Sequence, residues 1–337
     1  MDPVVQGKEE ILKALERLAG TRVMVYGDFV LDEFLHGRID RISREAPVFI
    51  VLHQSSQFRL GCASNAVANL SALGADVVPV GAVGADEAGD RLLELLRRRG
   101  VPTDSIYRAQ AEQTAVKTRV IAGVAHSIKQ QILRLDRLGS GRIGGKHEEP
   151  VRGLLAGALP ACDAVLISDY DIGCLTPACA KWLIGQARKS GKPVLVDSRH
   201  RLLQMTGATA ATPNQPEVEE CTGAKVACTE ELIEAGADLL ERLGCEALLA
   251  TRGPDGMMLF QAGREPVDIP AFGDEEIVDV TGAGDTVIAV FTLAVAGGAG
   301  FEAAARLANV AGGLTVRKKG TSTVSREEIS SALSGGQ

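Results

Sequence analysis

The sequence predicts an α/β fold: a mainly parallel sheet with helices on both faces, accompanied by a separate small β-sheet. Three observations lead there. Between residues 164 and 260, short apolar runs alternate with helical stretches, the pattern of strand and helix units in a parallel sheet. Two β-rich stretches, about 34–60 and 105–136, interrupt the alternation and carry few helical signals, which suggests that they pair with each other in space. Further on, Asp279-Val280-Thr281-Gly282-Ala283-Gly284-Asp285 leads into the apolar run 286–296, a glycine turn feeding a helix.

Composition narrows the classes. A chain of 337 residues could hold two average domains, but a single large α/β domain over 1–337 is equally allowed, and 45% apolar residues supply a full core. The net charge of −7 argues against nucleic acid or an anionic membrane as the main partner, so any phosphate site has to be local. Seven cysteines, an odd number without C-x-x-C spacing, suggest neither a disulfide framework nor a zinc site; reduced thiols and a cytoplasmic location are expected. No apolar run reaches the roughly 20 residues of a membrane span. Residues 8–18 mix charged and apolar positions at helical spacing, unlike a secretory leader.

In chain order, residues 23–26 form a buried strand ending in Gly27-Asp28, with Asp32 four residues on. Open α/β sheets place ligands at such strand ends. Asp28 and Asp32 could accept hydrogen bonds from adjacent hydroxyls, although a turn-forming Asp28 and a solvated Asp32 explain the same residues. Gly61-Cys62-Ala63-Ser64-Asn65 then opens a helix through residue 73, where small side chains allow close approach and Asn65 offers donors and an acceptor. Strand 76–83 and helix 86–99 follow. Gly139-Ser140-Gly141-Arg142-Ile143-Gly144 spells G-x-G-x-x-G with Lys146 behind it, but no βαβ unit brackets it and Ser140 stands where a phosphate loop needs glycine. It reads as a connector into helix 148–159.

Strands 164–168, 193–196, 208–212, 247–251 and 257–260, with helices 177–189 and 229–243, carry Asp169, Asp197 and Asn214 to one sheet edge. Asn214-Gln215-Pro216-Glu217 places a carboxylate that either serves a hydrated cation or caps a helix. Thr251-Arg252-Gly253-Pro254-Asp255-Gly256 is a turn that a simple hairpin would explain. Residues 309–320 close the chain with small residues in a helix and turn. Gly282, Ala283 and Gly284 can present successive N–H groups to an anion. Asp285, in the first turn, is either an ordinary helix-start acid or a general base kept ionised by the helix dipole.

On these residues the chain resembles the ribokinase (PfkB) family of sugar kinases from residue 23 to 325. The resemblance implies a ribokinase-like fold whose small sheet is a lid over the sugar, with ATP and Mg2+ as cofactors and a monovalent cation as a further candidate. In that family D-T-G-A-G-D closes over ATP, which makes Asp285 the base and Gly282, Ala283 and Gly284 the anion hole. It implies sugar contacts at Asp28, Asp32, Gly61, Asn65 and Asp169, and nucleotide contacts at Asn214, Glu217, Thr251, Gly253, Gly256, Thr281 and Asn309, with Glu217 acting on magnesium through water. A homodimer through the lid is the candidate assembly.

Within the family, Arg41-Ile-Ser-Arg-Glu-Ala-Pro47, Lys117-Thr-Arg119, Leu133-Arg134-Leu-Asp136, Ser168-Asp169-Tyr170 and Thr212-Pro-Asn214 look like the kinase half of bifunctional ADP-heptose synthesis enzymes. That branch phosphorylates the anomeric hydroxyl of D-glycero-β-D-manno-heptose 7-phosphate. It makes Lys117, Arg119 and Arg134 candidate clamps for the substrate phosphate, where a solvated lid face would otherwise account for them. Cys62 replaces the second glycine of G-G-x-x-N, and Ile172 the lysine of S-D-Y-x-K-G. These departures keep open a kinase for another sugar or sugar phosphate, and a non-catalytic sugar or nucleotide sensor on the same fold. With no nucleotidyltransferase half among the 337 residues, the resemblance leads one to expect only the kinase step.

Overall fold

The computed structural model describes residues 7–124, 129–138, 143–273 and 277–334; the glycine-rich run 139–142 lies outside them. Helix α1 (Lys8–Glu16) turns Ile11, Ala14 and Leu15 inward and precedes β1 (Arg22–Gly27). Val23 and Val25 of β1 enter one apolar cluster while Met24 and Tyr26 enter another, as a strand buried on both faces requires. The chain then leaves this layer in a long hairpin, β2 (Phe29–Ile42) and β3 (Phe49–Cys62), and returns through α2 (Ala63–Ala72) to β4 (Asp76–Gly84).

Helix α3 (Glu87–Arg97) is capped by Asp86, whose side chain accepts from the Gly89 N–H, and leads to β5 (Ile106–Ala109). A second excursion, β6 (Ala115–Gly123) and β7 (Gln130–Arg137), precedes α4 (Ile143–Ala158). That helix is broken at His147 (φ −121°, ψ 20°), three residues before Pro150, whose ring cannot follow a regular turn. Alternation then resumes with β8 (Ala164–Asp169), α5 (Pro177–Lys189), β9 (Val194–Ser198), β10 (Ala210–Ala211), α6 (Gln215–Thr222), α7 (Thr229–Leu243) and β11 (Ala247–Thr251). The chain ends with the hairpin β12 (Met257–Gln261) and β13 (Val267–Ile269), then α8 (Ala283–Ala296), α9 (Phe301–Thr315) and α10 (Arg326–Ser334).

Among the described residues the central sheet runs β13-β12-β11-β10-β9-β8-β1-β4-β5. Its strands are parallel from β11 to β5, and the β12–β13 edge is antiparallel. The small sheet runs β3-β2-β6-β7; β2 pairs antiparallel with β3 but parallel with β6, because the two hairpins enter from separate excursions. The second β-rich stretch is therefore divided. Ile106–Ala109 follows α3 as the third part of a βαβ unit and pairs with β4 at the sheet edge, and only residues from Ala115 onward join the small sheet. Strand β2 also starts earlier than expected, so Asp32 lies on the lid.

Two apolar clusters flank the central sheet, and α8 is buried continuously from Asp285 to Ala294. Among the described residues no helix is long and apolar enough to cross a membrane, and all seven cysteines are free thiols.

Candidate active site

Asp285 sits in the first turn of α8, behind Gly282, whose φ of 83° is left-handed. A Cβ on Gly282 would lie 2.6 Å from Asn65 Nδ2, so both conformation and space demand glycine. Asn65, from the start of α2, donates to Asp285 Oδ2 at 2.9 Å, and the Tyr170 hydroxyl donates to Oδ1 at 2.7 Å. Sequence reasoning expected the helix dipole to dominate this carboxylate. Burial dominates instead, pushing Asp285 up to about 6 against the two donors that stabilise the charge, with nearby Asp32 adding to the rise and Lys117 opposing it. A carboxylate there is ionised at neutral pH yet has appreciable affinity for a proton, the compromise a general base needs.

Three lid residues converge on the same space. Asp32 is buried and lies 2.9 Å from Arg119 Nη1 as an ion pair. The two are misaligned for hydrogen bonding, leaving Asp32 Oδ1 and Arg119 Nη1 without an aligned partner among the described residues. A Cβ on Gly61 would meet the Asp32 carboxyl carbon at 2.8 Å, so glycine lets the strands close here. Lys117, also buried, donates from Nζ to Cys62 Sγ at 3.1 Å and lies 5.0 Å from the Tyr170 ring centroid. Cys62 adopts φ 53°, ψ −134°, a region that favours glycine and costs about 1–3 kcal/mol in other residues. Burial pushes its thiol well up, so it stays protonated beside Lys117. Arg134 pairs bidentately with Asp136, at 2.5 and 2.8 Å, and stands opposite Arg119 on the neighbouring strand.

At the sheet edge, two of the expected sugar contacts already accept hydrogen bonds from the protein itself. Asp28 is buried, and its carboxylate accepts from four backbone N–H groups: Tyr170 (2.9 Å) and Ile172 (3.1 Å) on Oδ2, Cys174 (2.9 Å) and Leu175 (3.4 Å) on Oδ1. A carboxylate has about four lone-pair sites, and on Asp28 these four donors occupy them, so it holds the 170–175 loop. Burial, then the neighbouring Asp169, raises its pKa. Asp169 is likewise taken: Arg201 engages both oxygens, Ser198 Oγ donates to Oδ2 at 2.6 Å and the Asp171 N–H to Oδ1 at 3.1 Å. Sequence reasoning named neither Tyr170 as a partner of the base nor Arg201; the short S-D-Y run was the only pointer to the first.

Two cavities meet at Gly284. The smaller, about 190 Å3, is lined by Asp197, Arg199, Thr212, Asn214, Glu217 and Thr251. Asn214 and Glu217 form a reciprocal capping box at the start of α6: the Glu217 N–H donates to Asn214 Oδ1 and the Asn214 N–H to Glu217 Oε2, each at 2.9 Å. Glu217 is thus a helix-start acid that also faces the cavity. Burial raises the pKa of both Glu217 and Asp197, and for Asp197 repulsion from Glu217, Asp285 and Asp169 adds to it. Crowded carboxylates of this kind suit a hydrated divalent cation. No three His, Cys, Asp or Glu side chains among the described residues close into a metal cage.

The larger cavity, about 370 Å3, is apolar and lined by Gly253, Gly256, Phe272, Val287, Gly312 and Val316 among others. Thr251 borders both cavities. Gly253 and Gly256 bound the short turn between β11 and β12, and Asn309 reaches the wall while donating to the Pro270 carbonyl at 2.8 Å. The Thr281 N–H is committed to Asp279 Oδ1 at 2.9 Å. Gly284, the residue before Asp285, borders both this apolar cavity and the polar one.

The model of the pfkB family carbohydrate kinases matches residues 21–328. The bifunctional protein HldE of Pelobacter propionicus is 40% identical over 327 residues, covering 97% of this chain and 66% of that protein. HldE of Geobacter sulfurreducens is 42% identical over 311 residues, with 92% and 62% covered, so the chain spans somewhat less than two thirds of these relatives. Among solved structures, Arabidopsis thaliana ribokinase complexed with ribose and ATP aligns over 93% of this chain and 99% of its own, at a TM-score of 0.73 and 21% identity. Phosphofructokinase-2 of Escherichia coli in complex with potassium aligns over 94% and 99%, at 0.76 and 18%.

Proposed function

We propose, from the premise that this chain belongs to the pfkB family of carbohydrate kinases, that it transfers the γ-phosphoryl group of ATP to the anomeric hydroxyl of a heptose 7-phosphate. The observation that carries the mechanism is Asp285, buried at the head of α8 with a pKa near 6 and oriented by Asn65 and Tyr170. Asp285 takes the proton of the sugar hydroxyl as its oxygen bonds to the γ-phosphorus and the bond to the β-phosphate oxygen breaks. The Gly282–Gly284 backbone and the positive end of α8 face the charge that develops on the transferring group. When bound, magnesium neutralises phosphate charge and aligns the leaving group; Glu217 and Asp197 are the residues that would hold its water shell.

On the lid, Arg119 and Lys117 supply cations to the substrate phosphate, and Arg134 reaches it by exchanging Asp136 for that phosphate. The identity of about 40% with HldE proteins supports this choice of sugar. A second reading, another sugar phosphate, is favoured by the apolar contact of Val30, Cys62 and Ala115 with Ile172, at the position where the family has a lysine. A monovalent cation is a further candidate cofactor, supported by the potassium complex of the phosphofructokinase-2 neighbour. Exposed Ile42, Phe49, Leu52, Leu133 and Leu135 on the lid support a homodimer through that sheet, and the free thiols support a cytoplasmic location.

The test is coupled ADP release over a panel of sugars and sugar phosphates with magnesium. Heptose 7-phosphate should give the highest kcat/KM. A preference for a neutral sugar or for another sugar phosphate would overturn the heptose assignment, and no turnover with any acceptor would overturn the catalytic role of Asp285.

A further inference from the structure

Arg59 stands near the end of lid strand β3, and its guanidinium bridges from the lid to the turn at residues 319–321. Its Nη1 donates to the Lys319 carbonyl at 2.7 Å and to the Thr321 carbonyl at 3.1 Å. Between those carbonyls lies Gly320, whose N–H donates to Asp279 Oδ2 at 2.8 Å. Asp279 Oδ1 in turn accepts from the Thr281 N–H at 2.9 Å, one residue before Gly282. Thr321 also backs onto Gly282, where an added Cβ would sit 3.3 Å from Thr321 Cγ2. Hydrogen bonds thus run without a break from a lid arginine to the turn that presents the anion hole. The same guanidinium lies over the Phe34 ring, 5.5 Å from its centroid, and Arg119 lies over that ring at 5.3 Å.

We infer that Arg59 is a positioning residue for phosphoryl transfer, fixing the 319–321 turn and, through Asp279, the Thr281–Gly282 backbone in register with the lid. The inference rests on the transfer at Asp285 proposed above. Two carbonyls converging on one guanidinium are the negative ends of peptide dipoles, and a cation between them holds a geometry they would otherwise relax from. The N–H groups in the hole act most strongly on the transferring group, so a displacement below 1 Å lowers turnover more than it weakens ground-state binding.

The experiment compares Arg59→Ala, Arg59→Lys and Asp279→Asn, alone and combined, using whichever acceptor the wild type turns over fastest, so that a failed heptose assignment leaves the test intact. Arg59→Ala should lower kcat about 10- to 100-fold while both KM values stay within about threefold. Arg59→Lys should recover part of the loss, because an ammonium group donates to the same carbonyls. In the double variant the loss should be smaller than the product of the single losses, since both substitutions cut one chain of contacts. Unchanged kcat in Arg59→Ala, a loss confined to the sugar KM, no recovery with lysine, or strictly multiplicative losses would each overturn the inference. If Arg59→Ala does not fold, the same cycle is run with Arg59→Gln.

Discussion

The carboxyl edge of the central sheet and the underside of the lid both carry buried carboxylates, but they use them differently. On the sheet, Asp28 and Asp169 have every lone-pair site occupied by the protein's own donors. On the lid, Asp32 meets Arg119 in an ion pair whose facing atoms, Oδ1 and Nη1, lack an aligned hydrogen bond among the described residues. A buried polar group left short of partners is expensive, which supports the proposal that the sugar phosphate completes this pair. On the proposed reading, saturation, and not position at a strand end, separates the anchors from the ligand groups.

The sharpest probe of this division is the carboxylate between the two regions. Asp285→Asn should lower kcat by about 10²- to 10⁴-fold with ATP affinity within a few-fold, because shape is kept and proton transfer is lost. Its raised pKa fixes the sign of the pH dependence. The base works ionised, so wild-type kcat/KM should climb as pH rises through about 6 and level off above it, a limb absent from the asparagine variant. Near-normal turnover in Asp285→Asn would remove Asp285 as the base.

Next in size is Arg119→Ala, which should cost about 1.5–3 kcal/mol in kcat/KM, roughly ten- to a hundredfold, for a phosphorylated acceptor and much less for its neutral counterpart. Equal losses on both acceptors would place Arg119 with the anchors. Asp28→Ala tests the opposite region: with four backbone donors stripped of their acceptor, unfolding in denaturant should show a loss of about 2–4 kcal/mol. Unchanged stability with a raised sugar KM would make Asp28 a ligand group and break the comparison. The smallest effect is expected at Glu217→Gln, a few-fold rise in the magnesium needed for half activity, since one charge is lost near a cation that keeps most of its water. An unaltered magnesium titration would leave Glu217 only its cap.

The sequence carried the α/β class, the lid and the Asp285 turn because these depend on local pattern: apolar periodicity, interrupted alternation, and glycines before a buried helix. It did not carry saturation. The donors to Asp28 lie 142 to 147 residues away on another loop, and Arg201 sits 32 residues from Asp169. Nor could composition assign Ile106–Ala109 to the central sheet, because four residues of strand look alike whichever neighbour they pair with.

The continuous burial of α8 has a consequence for time as well as for chemistry. From Asp285 to Ala294 every residue of that helix is buried, whereas nearly all of β7 on the lid is exposed. The α8 amides beyond its first turn can exchange their hydrogens with solvent only when the core itself opens, while the outer lid strand exchanges through local fraying. The proposed base is therefore set at the head of one of the slowest-opening segments, while Arg134, the outermost of the proposed phosphate clamps, rides on a strand that frays locally.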